Sequence, residues 1–233
     1  MSIAANLADV RRRVAEAARR AGRDPDDVTV IAVSKTFSAA HVREAWAAGQ
    51  RDFGENKVQE ALQKIDQTAD IPARWHLIGH LQSNKARKAA GAFACIHSVD
   101  SVDLLQRLDA AGRTNPDRVP EVLIQVDLAG ETTKFGIPER DAELCVRQAL
   151  TSDGVKLAGL MLMPPWNDDQ EQTRPWFVRL REFRDGLIDS GVPPASLRHL
   201  SMGMSHDFEA AIEEGATLVR VGTAIFGKRE VRA

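Results

Sequence analysis

Tyrosine is absent from all 233 residues, so no phenolic hydroxyl is at hand for acid–base chemistry. Cysteine occurs only as Cys95 and Cys145, far apart and in no metal-ligand spacing, which fits free thiols in a reducing compartment and argues against a disulfide framework. A cytoplasmic location is therefore expected. Neither sign of charge dominates: 31 Lys and Arg against 33 Asp and Glu leave a net charge of −2, with no long block to steer nucleic acid or lie on a membrane. No apolar run approaches the roughly 18 residues of a membrane span, and Met1 to Gly22 carries five arginines in an amphipathic pattern unlike a signal peptide. No strand pattern is followed by Gly-x-Gly-x-x-Gly, so a dinucleotide site has no support. His-Glu-x-x-His is missing too, and His76 and His80 straddle a strand end, which leaves a metal-dependent barrel hydrolase without a ligand set. A small-molecule partner is what these absences leave.

What is present is regular alternation. Ile3, Leu7, Val10, Val14 and Ala18 recur at helical spacing up to Gly22. Eight short apolar runs follow: Thr29–Val33, Arg51–Gly54, Trp75–Ile78, Cys95–His97, Val122–Asp127, Leu157–Met163, Arg198–Leu200 and Leu218–Val221. Between them lie helical patterns over Ala39–Ala48, Lys57–Asp66, Asn84–Ala90, Val102–Ala111, Glu139–Leu150, Glu171–Ser190 and His206–Glu214. Ser38 and Ser205 stand where caps are expected, and Pro175 predicts a break near Arg174. Eight strands alternating with helices predict a closed (β/α)8 barrel of α/β class, one domain over residues 1–233, with the first helix covering the place of the eighth. An open doubly wound sheet is the alternative.

Function in such a barrel belongs to the loops that follow the strands. Lys35 leaves the first run between Val33 and Phe37, where partial desolvation favours a nucleophilic amine able to form a Schiff base; the competing reading is a lysine snorkelling outward. In the eighth run, alternation places Leu218, Arg220 and Gly222 on one face and Val219 and Val221 on the other. If the valines face the helices, Arg220 points into the barrel mouth, where its acceptor is either a carboxylate of the protein or an atom of a ligand. The seventh and eighth loops, Ser201 to Ser205 and Gly222 to Gly227, offer glycines, hydroxyls and a helix start to a phosphate, with Asp207 and Glu209 counting against an anion at the first of them. An amine, an arginine and a phosphate cradle together match the aldehyde, ring nitrogen and phosphate of pyridoxal 5′-phosphate.

The stretches Val33–Thr36, Phe53–Asn56, Trp75–Lys85, His97–Ser101, Leu200–Ser205 and Val219–Gly227 resemble the pyridoxal phosphate homeostasis protein family across nearly the whole chain. The resemblance implies a barrel similar to the N-terminal domain of alanine racemase (fold type III) and a cofactor, pyridoxal 5′-phosphate, carried on Lys35 without established turnover. It places Arg220 at the pyridine nitrogen, Ser201, Gly203, Gly222 and Thr223 around the phosphate, and Asn56 in the cofactor wall. Lys57 departs from an aromatic common in the family, and Thr133-Lys134-Phe135-Gly136 departs from Ser-Lys-Ser-Gly. The implied role is buffering the cofactor or delivering it to apoenzymes that need it. A monomer is expected, since nothing demands a second chain to complete this site. The alternative is a small amino-acid racemase of the same cofactor class. It is weakened because the tyrosine base of alanine racemases is missing, although a histidine or Cys95 could substitute. His76, His97 and His199 read as hydrogen-bonded barrel or rim residues, and Met163-Pro164-Pro165 as one wall of the site.

Overall fold

The computed structural model describes residues 2–130 and 135–227. Helix α1 (Ile3–Arg20) buries Ile3, Leu7, Val10, Val14, Ala17 and Ala18 along one face. It ends at Gly22, whose φ of +68° lets the Arg23 N–H turn back onto the Ala18 carbonyl at 2.9 Å.

The strands are β1 (Thr29–Val33), β2 (Asp52–Glu55), β3 (Arg74–Leu77), β4 (Cys95–Val99), β5 (Glu121–Asp127), the two-residue β6 (Ile137–Pro138), β7 (Lys156–Leu162), β8 (His199–Met204) and β9 (Leu218–Val221). The order β4-β3-β2-β1-β9-β8-β7-β5-β6, with β4 also paired to β5, closes eight of them into a ring, and the pairings are parallel. The connecting helices are α2 (Ala39–Ala47), α3 (Val58–Gln67), α4 (Ala86–Ala92), α5 (Val102–Gly112), α6 (Glu139–Leu150), α7 (Arg174–Asp189), α8 (Phe208–Glu213) and the single turn α9 (Thr223–Phe226). The closed barrel expected from the sequence is the observed fold. Because α9 is too short to cover β9 and β1, α1 lies against α8, α9 and α2. Asn6 donates to the Ile225 carbonyl at 2.8 Å, and Arg13 forks onto Glu209 at 2.9 Å.

Two apolar layers follow from the period of two. One lies between strands and helices and contains Val219 and Val221; the other, inside the ring, contains Ile31, Cys95, Leu123, Ala158, Met161 and Leu218. The interior is also polar: His76, His97, Gln125, Ser201 and Arg220 are buried.

Two helix starts and one strand differ from expectation for local reasons. Helix α7 starts at Arg174 rather than Glu171, with Pro175 in the first turn, where its missing N–H breaks no bond. Helix α8 starts at Phe208 behind Asp207, because the Ser205 hydroxyl is engaged elsewhere. β6 was not anticipated; it adds Ile137 and Pro138 beside Val126 and Asp127.

Candidate active site at the barrel mouth

A cleft of about 250 Å³ opens where β1, β2 and β9 end. Lys35, Asn56, Arg220, Gly222 and Thr223 line it together; Ser201 and Gly203 do not. Residues 131–134, including Lys134 of the fifth loop, lie outside the described residues.

Lys35 is half-buried in a turn closed by the Phe37 N–H on the Ser34 carbonyl at 3.0 Å. Thr36, the next residue, has φ +71°, the one positive φ outside glycine among the described residues. A β-branched residue in that region is strained, and the strain is held by its surroundings. Phe37 stacks on Phe226 with ring centroids 5.0 Å apart. Beneath the turn, Glu55 Oε1 accepts from Ser34 Oγ at 2.6 Å and from Lys64 Nζ at 2.5 Å, and Lys64 also donates to the Ser34 carbonyl at 2.6 Å. Glu55 is fully buried, and its Oε2 has no hydrogen-bond partner. This ion pair holds the backbone that carries Lys35, so removing one partner strands a buried charge. Lys64→Met is expected to lower stability by about 3–5 kcal/mol, and adding Glu55→Gln to recover much of it. Urea unfolding of both variants checks this, and a loss below about 1 kcal/mol for the single variant would contradict it.

Asn56 follows β2, and its backbone is crowded by the third loop. A Cβ on Gly79 would stand 2.4 Å from the Asn56 carbonyl oxygen, so only glycine allows the two loops to touch.

Arg220 is buried, opposite Ile31 in the β1–β9 register. Its acceptors are Ser201 Oγ at 2.7 Å, the Leu162 carbonyl at 2.9 Å and Met163 Sδ at 3.2 Å. It forms no ion pair with a carboxylate among the described residues. Burial pulls its pKa down to about 10, with the distant Asp207 opposing. Of the two acceptors the sequence left open, a carboxylate is not the one used.

Ser201 and Gly203 do not line the cleft. The register between β8 and β9 shifts between Ser201 and Met204, which leaves Ser201 inside the barrel, shared by Arg220 and by His97 Nδ1 at 2.8 Å. Gly203, at φ +87°, turns toward α8; a Cβ there would lie 2.5 Å from that of Ala211. Ser205 takes the cleft position instead. Its Oγ accepts the Gly222 N–H at 3.0 Å and the Ala224 N–H at 3.5 Å. Asp207, at the start of α8, accepts the Met204 N–H at 2.7 Å and makes no cap bond to the helix. Met163, Trp166 and His206 complete the outer wall, with the Trp166 and His206 rings 5.0 Å apart. The sequence pointed to Met163; Trp166 carried no periodic signal, and His206 stood only as the first residue of a helical pattern.

The barrel histidines are hydrogen-bonded as expected. His76 and His97 meet at 3.0 Å, and His199 Nδ1 lies 3.2 Å from Thr217 Oγ1. Burial holds His97 well below the ordinary imidazole value, and burial followed by Arg198 pushes His199 down to about 4. Below about pH 6.5 the unfolded chain binds protons at these positions before the folded protein does. Their contribution to stability is therefore complete above that pH and falls toward pH 4, by up to about 1.4 kcal/mol per pH unit for a fully excluded ring, less for the partly exposed His199. Urea midpoints should decline from pH 7 to pH 5, and constant midpoints would contradict a neutral buried His97.

Comparison with known proteins gives a consistent answer. The family described as alanine racemase, N-terminal domain, matches residues 5–230. The pyridoxal phosphate homeostasis protein of Pseudomonas aeruginosa is 46% identical over 234 residues, covering 100% of this chain and 98% of that protein. That of Aquifex aeolicus is 40% identical, covering 99% and 100%. PipY of Synechococcus elongatus, solved with PLP bound, is 42% identical with a TM-score of 0.84, covering 97% of this chain and 100% of that one. Alanine racemase of Corynebacterium glutamicum, at 18% identity and a TM-score of 0.72, covers 97% of this chain but 61% of its own and shares the fold. With near-complete coverage on both sides and identities of 40% and above, the chain belongs to the pyridoxal phosphate homeostasis protein family.

Proposed function

We propose that the protein binds pyridoxal 5′-phosphate reversibly through Lys35 and buffers or delivers it within the cell. The observation that carries this reading is one cleft lined at once by Lys35, the buried Arg220, Gly222 and Thr223. The cofactor would supply an aldehyde that condenses reversibly with an amine. Each of its other ends has a counterpart. The Ser205 hydroxyl oxygen sits where two backbone N–H groups converge, a place a phosphate oxygen also suits, and Thr223 adds a hydroxyl. A single-turn α9 contributes little macrodipole, so the donors are these local groups. Arg220 can donate to a pyridine nitrogen but cannot yield its proton, which keeps the ring a weak electron sink. Asn56 and Met163 lie along the walls. In this reading Ser205 takes the phosphate role that the family resemblance implied for Ser201, and Gly203 serves the fold.

Carriage is favoured over racemisation because two of the second bases considered are missing from the cleft, and chiral assay decides whether His206, which does line it, can act as one. No tyrosine exists. Cys95 is fully buried and lines a cavity at the other end of the barrel, and burial raises its thiol far above the ordinary range. Among the described residues, no helix is long and apolar enough to cross a membrane. The barrel acts alone as a monomer, and the recipients of the cofactor are pyridoxal phosphate-dependent apoenzymes. Chiral assay of alanine and other amino acids with the loaded protein, beside reactivation of an apoenzyme by it, tests the choice. Reactivation without racemisation supports carriage, whereas racemisation at enzymatic rates would replace it.

A further inference from the structure

The strand starts Thr29, Asp52, Arg74, Cys95, Glu121, Lys156, His199 and Leu218 ring a cavity of about 450 Å³ at the barrel end opposite the cleft, and His76 also lines it. From there a continuous chain of hydrogen bonds crosses the barrel. Asp52 Oδ1 is 3.0 Å from His76 Nε2, His76 Nδ1 is 3.0 Å from His97 Nε2, His97 Nδ1 is 2.8 Å from Ser201 Oγ, and Ser201 Oγ is 2.7 Å from Arg220 Nη1. We propose that Asp52 is a remote positioning residue for Arg220, acting through this one-way chain, and so sets how strongly the cleft holds its ligand. The inference rests on the assignment of Arg220 to the cofactor ring.

Proton placement follows from the two ends. A guanidinium only donates and a carboxylate only accepts. Ser201 therefore accepts from Arg220, and its single hydroxyl proton is free to go to His97 Nδ1. With Nδ1 accepting, a neutral His97 carries its proton on Nε2 and donates it to His76 Nδ1. His76 then carries its proton on Nε2 and donates to Asp52. Working from Asp52 backward gives the same arrangement. Burial keeps His97 neutral, as this requires, and hydrogen bonds from His76 and Arg74 outweigh burial to keep Asp52 ionised. Four bonds aligned from a positive to a negative end reinforce one another in a low-dielectric interior. They give Arg220, which lacks a carboxylate of its own, a counter-charge at the far end of the barrel, and they fix which guanidinium donors remain for the cleft. Donor atoms of His76, Cys95 and His97 lie within 4.8 Å of one another, as a cation site would need, but in this chain the imidazole nitrogens are already committed to one another.

The test reads histidine tautomers by side-chain ¹⁵N NMR in protein free of cofactor, together with pyridoxal phosphate affinity by absorbance titration. In the wild type, His97 should be neutral with its proton on Nε2, and His76 should carry a proton on the Nε2 that faces Asp52; a His97 proton on Nδ1 would overturn the proposal. Asp52→Ala removes the terminal acceptor, so His76 can donate from Nδ1 instead and send the His97 proton to Nδ1. The expected result is that tautomer shift in a residue that does not touch Asp52, with affinity about tenfold weaker. Asp52→Asn, which still accepts from His76, should retain the His97 tautomer and lose less than about threefold. Unchanged His97 shifts and unchanged affinity in Asp52→Ala would overturn it. If Asp52→Ala does not fold, the wild-type tautomers and Asp52→Asn decide. Absence of cofactor binding in the wild type would refute the functional reading while the tautomers still judge the chain.

Discussion

Lys35→Ala should abolish the visible absorbance that pyridoxal phosphate acquires on the wild-type protein and weaken its binding by at least about 100-fold. What remains in the variant is Arg220 on one side of the cleft and Gly222 and Thr223 on the other, groups able to hydrogen-bond a ligand but not to form a covalent bond with its aldehyde. The fold should hardly notice. Lys35 is half-buried at the first central position of a turn whose closing bond runs between Ser34 and Phe37, so its side chain is not part of the core. Unfolding free energy is expected to change by less than about 1 kcal/mol. A variant that unfolds, or one that binds with wild-type affinity and colour, would mean that the lysine is structural or peripheral.

Arg220→Met should separate stability from function in the opposite manner. The guanidinium is buried with no carboxylate in contact among the described residues, an arrangement that costs several kcal/mol in desolvation and returns part of it through Ser201 and the Leu162 carbonyl. An apolar side chain of similar length relieves the first term and leaves those two acceptors unpaired, at about 1–3 kcal/mol each. The two effects nearly offset, and stability should shift by less than about 2 kcal/mol in either direction. Binding has no such compensation. Losing a desolvated charge-assisted hydrogen bond to the ring should weaken pyridoxal phosphate by about 10- to 100-fold. Equilibrium unfolding and absorbance titration on the same preparation measure both quantities. An affinity within about threefold of wild type would show that Arg220 serves the interior alone.

Which parts of this molecule were legible in the sequence follows from which signals are local. Strand β9 announced itself because Val219 and Val221 alternate with Leu218 and Arg220, and the structure sends the valines outward to the helices and Leu218 inward. Lys35 stood out because the run before it ends at a turn. Ser201 and Ser205 could not be told apart in this way. A regular alternation puts residues 201, 203 and 205 on one face, but the register shift after Ser201 and the positive φ at Gly203 break it, and only Ser205 reaches the cleft. The chain from Asp52 to Arg220 was equally hidden. Its members sit on β2, β3, β4, β8 and β9, and their contact depends on the stagger of strands around a closed ring. Trp166 comes from a loop with no period, and His206, expected to open a helix, lies ahead of α8, which starts at Phe208.

The central claim is that Lys35 forms the bond to the cofactor, and the most direct measurement is borohydride reduction of the pyridoxal phosphate-loaded wild type, followed by peptide mapping by mass spectrometry. One stoichiometric reduced adduct is expected, on the peptide carrying Lys35. A stoichiometric adduct on any other lysine, with Lys35 unmodified, would contradict it.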